Sequence, residues 1–123
     1  MPNERFRLLI VEDDPALGRA VERVLVTAGY AVLVANSCAQ ARKAPTKFDG
    51  AVLDMNLGDG DGVGLAQELL AKNKARVIIF FTASTDDDLA RRARALGPIV
   101  SKNGEPQELL DAIATELRVQ GRA

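Results

Sequence analysis

Glu12, Asp13, Asp54, Thr82 and Lys102 are residues of the types that could act together on a charged group. Three carboxylates gathered in one place repel one another. A hard divalent cation relieves that repulsion, and Mg2+ commonly uses one or two carboxylates together with phosphate oxygens. A lysine and a hydroxyl alongside would suit an incoming phosphoryl group, whose transfer depends on positioning and charge neutralisation. An aspartate carboxylate can be the nucleophile in such a transfer. Each residue also has a plainer reading. Thr82 can simply end a strand, and a lysine such as Lys102 is usually a solvated surface charge. Asp14 before Pro15 reads first as a helix cap. Asp59 and Asp61 read as turn acids, with Asp61 or Gly60 opening a helix. Cys38 reads as a packing residue. The chemical reading therefore depends on whether the fold brings the five together.

The elements that would do so are visible as five short apolar runs. They are Arg7 to Val11, Ala31 to Ala35, Ala51 to Leu53, Val77 to Phe81, and a weaker Ile99–Val100. The runs are continuous rather than alternating, as strands covered on both faces are. Between them lie helical patterns at Asp14 to Ala28, Ser37 to Ala44, Gly62 to Asn73, Asp86 to Leu96 and Glu105 to Val119. Pro15 suits a first helical position, Gly29 and Gly97 suit stops, and Asp87–Arg91 and Asp88–Arg92 are spaced for i,i+4 pairs. Strands alternating with helices five times predict an α/β fold with an open, doubly wound sheet. In such sheets ligands bind outside the carboxyl ends of the strands. The first strand ends in Glu12-Asp13-Asp14, the third in Asp54, the fourth in Thr82-Ala83-Ser84 and the fifth in Ser101-Lys102. The second ends in the bland Asn36-Ser37.

Composition narrows the function. The chain has 123 residues, 47% apolar and 27% charged, with a net charge of −1. That suits one globular domain and gives no bulk-charge reason to bind nucleic acid or a membrane. No apolar run approaches the ~20 residues of a membrane span. The N-terminal MPNERFRLLIVEDD lacks a signal-peptide plan. The single Cys38 excludes an internal disulfide and fits a reducing compartment, so a cytoplasmic protein is expected. There is no histidine, which removes Ser-His-Asp and Cys-His catalysis and any phosphohistidine on this chain. A partner would have to supply histidine chemistry.

Four stretches carry a family resemblance: LLIVEDDPALG (Leu8 to Gly18), VLDMNLGDGDG (Val52 to Gly62), FFTAS (Phe80 to Ser84) and VSK (Val100 to Lys102). In this order and spacing they resemble the receiver domains of bacterial two-component response regulators. The resemblance covers nearly the whole chain. It implies a five-stranded parallel sheet in the flavodoxin-like order 2-1-3-4-5 with five helices, forming one domain over residues 1–123 with its core at about 6–119. It implies that Asp54 accepts a phosphoryl group. Asp13, Asp54 and the backbone carbonyl of Asn56 would hold Mg2+, with Glu12 acting through water. Thr82, the Ala83 backbone N–H and Lys102 would bind the phosphoryl oxygens. The partner would be a histidine kinase or a histidine phosphotransfer protein. The domain would be a signalling switch rather than an enzyme, with only self-catalysed transfer and slow autodephosphorylation. Met1 and the short C-terminal tail point to a stand-alone receiver.

The sequence departs from the family pattern at four places. Ile99 stands where a Tyr or Phe usually lies, so the usual aromatic rotamer switch cannot operate as such. Asn103 replaces a proline that often follows a cis bond. A non-proline cis bond costs about 2.5–4 kcal/mol, so a trans bond is expected. Gly58 replaces a common proline and loosens its loop, and the segment from Gly97 to Lys102 is short. Ile99 and Asn103 motivate a second reading, a receiver-like interaction module that works without phosphorylation. Asp54-Met55-Asn56 faintly resembles the DxD of aspartate-nucleophile phosphatases, but no cap region or second catalytic acid accompanies it. Asp59 and Leu65 break an EF-hand pattern, and the glycines from Gly58 to Gly64 miss G-x-G-x-x-G.

Overall fold

The computed structural model describes residues 6–83 and 86–120. Strands β1 (Arg7–Val11), β2 (Ala31–Ala35) and β3 (Gly50–Leu53) are followed by a small hairpin of β4 (Asn56–Leu57) and β5 (Gly60–Asp61), then by β6 (Val77–Thr82) and β7 (Ile99–Ser101). The helices are α1 (Pro15–Thr27), α2 (Cys38–Arg42), α3 (Gly62–Ala71), α4 (Asp87–Arg94) and α5 (Pro106–Gln120). The main sheet runs β2-β1-β3-β6-β7, with every neighbouring pair parallel. This is the flavodoxin-like order expected from the sequence.

The continuous apolar runs have a direct cause. Leu9, Val11, Leu53 and Phe80 belong to a core cluster shared with Leu65, Leu69 and Ala93 of α3 and α4. The alternate residues Leu8, Ile10, Val52 and Ile79 belong to a second cluster with Val21 and Leu25 of α1 and Leu109, Ile113 and Leu117 of α5. Because both faces of the sheet are covered, the central strands carry polar residues only at their ends, Arg7 at the start of β1 and Thr82 at the end of β6.

Helix ends follow local chemistry. The Asp14 carboxylate accepts the N–H groups of Ala16 and Leu17, so it is the cap expected of it, and Pro15 begins α1. Gly29 has φ 106°, a left-handed turn that glycine adopts without strain. Asn73 also has positive φ, 57°, and α3 ends at Ala71 rather than running on to Asn73. On α4 the expected i,i+4 pairs give way to an exposed Arg91–Asp88 contact of 3.5 Å at i,i+3, while Asp86 caps the Asp88 and Leu89 N–H groups. At the other end α5 continues to Gln120, one residue into the stretch expected to be a tail. Residues 1–5, Ser84, Thr85 and 121–123 lie outside the described residues.

Gly97 does more than stop a helix. A Cβ there would overlap the carbonyl oxygen of Ile78, on a core strand whose backbone cannot move aside alone. Gly97→Ala should therefore destabilise the domain by about 1–3 kcal/mol, as forced overpacking does. Urea unfolding should show a lower midpoint with an unchanged slope. A midpoint equal to that of the wild type would show that the approach of Gly97 to β6 is not a constraint.

Candidate functional site

Parallel strands in aligned register end together. Val11 lies opposite Leu53, Leu53 opposite Phe80, and Thr82 opposite Ser101. The residues just after, or closing, the neighbouring strands β1, β3, β6 and β7 thus meet at one edge. The sheet order decides which ones meet: β2, with its bland ending, is at the far side.

Asp54 is the centre of this edge, buried to 8% exposure immediately after β3. One of its oxygens, Oδ1, accepts the Thr82 hydroxyl at 2.8 Å and the Asn56 backbone N–H at 3.2 Å. The other, Oδ2, accepts Lys102 Nζ at 2.7 Å. The same Nζ lies 2.8 Å from Glu12 Oε1. The second Glu12 oxygen accepts the Asp14 backbone N–H at 3.1 Å, and the side chain is almost wholly buried. Asp13 is exposed, yet Glu12, Asp13 and Asp54 each present a carboxylate oxygen within 4.8 Å of the others. An all-oxygen set of this charge and spacing fits a hard divalent cation such as Mg2+ better than a soft metal.

Burial and pairing act against each other here. Burial pushes the Glu12 carboxyl above its ordinary pKa, and the nearby Asp54 adds to that; the Lys102 ammonium and the Asp14 N–H only partly offset it. For Lys102 burial works to lower the pKa, but hydrogen bonds and charge from Asp54 and Glu12 outweigh it, and the net shift is upward. The lysine is held as a cation between two acids.

Most of the expected residues converge. Glu12, Asp54, Thr82 and Lys102 are linked directly, Asp13 stands beside them, and Asn56 reaches Asp54 through its N–H. Ala83 comes directly after Thr82 on an exposed stretch at the same edge. Ser84, also expected there, lies outside the described residues. Among the described residues no peptide bond is cis, so Asn103 follows a trans bond as expected. Its N–H donates to Ser101 Oγ at 3.0 Å, a contact that a proline could not make. Ile99 is partly buried against the α3–α4 core cluster. Cys38 is buried, as a packing residue should be, and its thiol pKa is pushed up chiefly by that burial.

Three features escaped the sequence reading. Gly58 to Gly62 is not only a turn: two pairs of residues, Asn56 with Asp61 and Leu57 with Gly60, form a hairpin. Gly62 packs so closely that a Cβ would overlap the Asp54 carbonyl oxygen, while its N–H donates to the Met55 carbonyl at 2.8 Å. The Asp59 side chain crosses to α2 and accepts the Cys38 and Ala39 N–H groups at 2.9 and 3.1 Å. Glycine and acid were plain to see; their through-space partners were not. Asp61 does cap α3, through the Gly64 N–H at 2.5 Å.

The chain matches known proteins over most of its length. The family model described as the response regulator receiver domain matches residues 8–114. The chain is 32% identical over 109 residues to the sensor protein TorS of Escherichia coli, covering 85% of this chain and 12% of that protein. It is 31% identical to the acid tolerance regulatory protein ActR of Sinorhizobium medicae, covering 86% of this chain and 57% of that one. The chain thus spans 57% or less of these relatives' lengths. Among solved structures, the non-phosphorylated HemR receiver domain of Leptospira biflexa superposes with a TM-score of 0.81 at 31% identity, covering 92% of this chain and 94% of that one. The response regulator TrrA of Thermotoga maritima, in complex with Mg2+ and BeF, gives a TM-score of 0.81 at 26% identity, with 91% and 99% covered. A CheY-like receiver domain protein from Methanospirillum hungatei, 24% identical with 97% and 98% covered and a TM-score of 0.88, shares the fold.

Glu12 offers a pH test of the site's electrostatics in metal-free buffer. Its folded pKa lies above the ordinary 4.5, first because of burial. A raised acid contributes stability that is fully present below the unfolded value and is lost as pH rises through the folded one. Glu12→Gln keeps an oxygen for the Asp14 N–H and removes the titration. Thermal denaturation with a chelator should show the variant gaining on the wild type as pH rises from about 4.5 to 7. Parallel curves would mean that Glu12 titrates as an ordinary solvated acid.

Proposed function

The chain belongs to the response regulator receiver domain family, and on that premise we propose that it takes a phosphoryl group from a partner's phosphohistidine onto Asp54 and thereby switches protein–protein interactions. One observation carries the reading: the Asp54 carboxylate is held between the Thr82 hydroxyl and the Lys102 ammonium, beside two further acids. The donor would be a histidine kinase or a histidine phosphotransfer protein, since this chain has no histidine. A relative named as a sensor protein and others named as regulatory proteins support a signalling context. A cytoplasmic setting fits that role, and no helix among the described residues is long and apolar enough to cross a membrane.

The side chains divide the work. In the transfer, an Asp54 carboxylate oxygen forms a bond to phosphorus as the bond from phosphorus to the donor imidazole nitrogen breaks. The electron pair of that bond stays with the departing imidazole. Asp13, Asp54 and the Asn56 carbonyl would hold Mg2+, and Glu12 would reach it through water. When bound, Mg2+ supplies positive charge against the phosphoryl oxygens. Lys102 supplies a second positive charge, and Glu12 holds that ammonium in place at 2.8 Å. Thr82 and the Ala83 N–H then take phosphoryl oxygens. A phosphoryl group adds negative charge and strong acceptors. Movement of Thr82 toward it would bias the segment between β6 and α4 and, with it, the surface of α4, β7 and α5.

Incubation with a small phosphodonor and Mg2+ should add one phosphoryl group, labile to acid or base, as read by intact mass. Asp54→Asn should abolish it, and Lys102→Ala should reduce its rate by roughly 100-fold or more, as loss of one charge-stabilising donor does. Equal labelling of Asp54→Asn and wild type would sink the assignment. No labelling of a folded wild type, with partner binding indifferent to phosphodonor, would favour an interaction module that works without phosphorylation.

A further inference from the structure

The loop after Asp54 carries Asn56, and it is built with glycine at Gly58 and Gly60 on either side of Asp59. Two short strands make up its hairpin, and glycines at the tip leave it without intrinsic stiffness. Something outside the hairpin has to hold the tip. Asp59 does so: its Oδ1 accepts the Cys38 N–H at 2.9 Å and its Oδ2 accepts the Ala39 N–H at 3.1 Å, both at the start of α2. The next N–H along, that of Gln40, is accepted by Ser37 Oγ at 3.1 Å, and Gln40 Oε1 reaches back to the Asn36 N–H at 2.7 Å. The start of α2 is thus capped jointly by its own residues and by a carboxylate from another loop. The contact is close on the far side as well, because a Cβ on Gly60 would sit 3.2 Å from Cys38 Sγ.

The hairpin also runs past the acids. The Cβ direction of Gly58 comes to 3.9 Å from Asp13 Oδ2, so the tip that Asp59 pins is the segment facing Asp13. On the reading that Asp13, Asp54 and the Asn56 carbonyl hold Mg2+, we propose that Asp59 is a positioning residue, which bolts the Asn56 loop to α2 and thereby keeps that carbonyl within reach of the acids. A proline at position 58 would stiffen the loop from within; in this chain a side-chain tether across to α2 takes over that work. The capping bonds that make the tether hold the Asp59 carboxyl below its ordinary pKa, so it is a full anion at neutral pH.

Titration calorimetry with Mg2+ and thiol labelling of Cys38 test this together. Cys38 is the only cysteine and is 1% exposed, so its labelling rate reports release of the hairpin. Asp59→Ala should label faster and bind Mg2+ about tenfold more weakly, in line with loss of an outer-shell partner. Asp59→Asn loses the charge but keeps an acceptor oxygen, and should fall between Asp59→Ala and the wild type on both readouts. Circular dichroism establishes that each variant is folded, and Asp59→Asn carries the test if Asp59→Ala is not. Equal weakening in the two variants would assign the effect to charge alone and overturn the proposal. Faster labelling with unchanged Mg2+ affinity would reduce the tether to a structural cap and overturn it too. A wild type that binds no Mg2+ would instead bring down the metal reading beneath it, which the wild-type titration shows by itself.

Discussion

The Lys102 ammonium, 2.7 Å from Asp54 and 2.8 Å from Glu12, is the contact on which the rest of the arrangement depends. Two buried carboxylates at one sheet edge repel each other, and the attraction to a cation between them grows as water is excluded. Taking away one partner of such a group leaves a charge buried and uncompensated, which costs far more than a surface pair contributes. The fold has to deliver all three groups to within a few ångströms, and parallel register does this. β1 and β7 are not neighbours in the sheet, yet both end at the same edge because β3 and β6 between them are in step with each.

That delivery also explains why polar groups at the edge are so fully engaged. Among the described residues no buried side-chain nitrogen or oxygen lacks a hydrogen-bond partner. Glu12 is tied at both oxygens, to Lys102 and to the Asp14 N–H, and Asp54 is tied at both of its own. Groups fixed in this way do not have to be ordered when a charged ligand approaches, the general condition under which electrostatic stabilisation is most effective. The upward shift of Glu12 marks the part left uncompensated: the lysine does not fully offset its burial.

Much of this was legible in the sequence because it rests on chain order. Runs such as Leu8–Val11 and Val77–Phe81 declare buried strands, and the side chain delivered to the edge is simply the next residue along. Asp14-Pro15 declares a helix start for the same reason. The parts that were not legible depend on neighbours distant in the chain. Gly97 looks like any helix stop until Ile78 is found against it, and Gly62 looks like any turn glycine until the Asp54 carbonyl is found there. Asp59, in a run of alternating glycines and acids, gives no sign that its partners are the Cys38 and Ala39 N–H groups on another helix. On α4 the spacing allowed i,i+4 pairs, but exposed arginines and aspartates have little to hold them to one geometry, and an i,i+3 contact formed instead.

Ile99 shows how a departure from the family pattern changes what a strand end can do. A β-branched side chain has few rotamers, and this one is partly buried against the core cluster that includes Phe80, the residue it faces across the β6–β7 pair. It cannot swing in and out as a ring at that position could. The strand ends are joined through the backbone instead: the Lys102 N–H donates to the Thr82 carbonyl at 3.1 Å, and Thr82 pairs with Ser101. The hydroxyl and the ammonium that grip Asp54 therefore stand on two chain segments joined directly to each other. Along this path Thr82 is joined to the end of β7 without any side chain having to turn over, and the residues next along from that end lead into α5. In this chain the link from Asp54 to β7 and the start of α5 is made by hydrogen-bonded strand ends, with a stiff β-branched side chain at the position where a ring could have rotated.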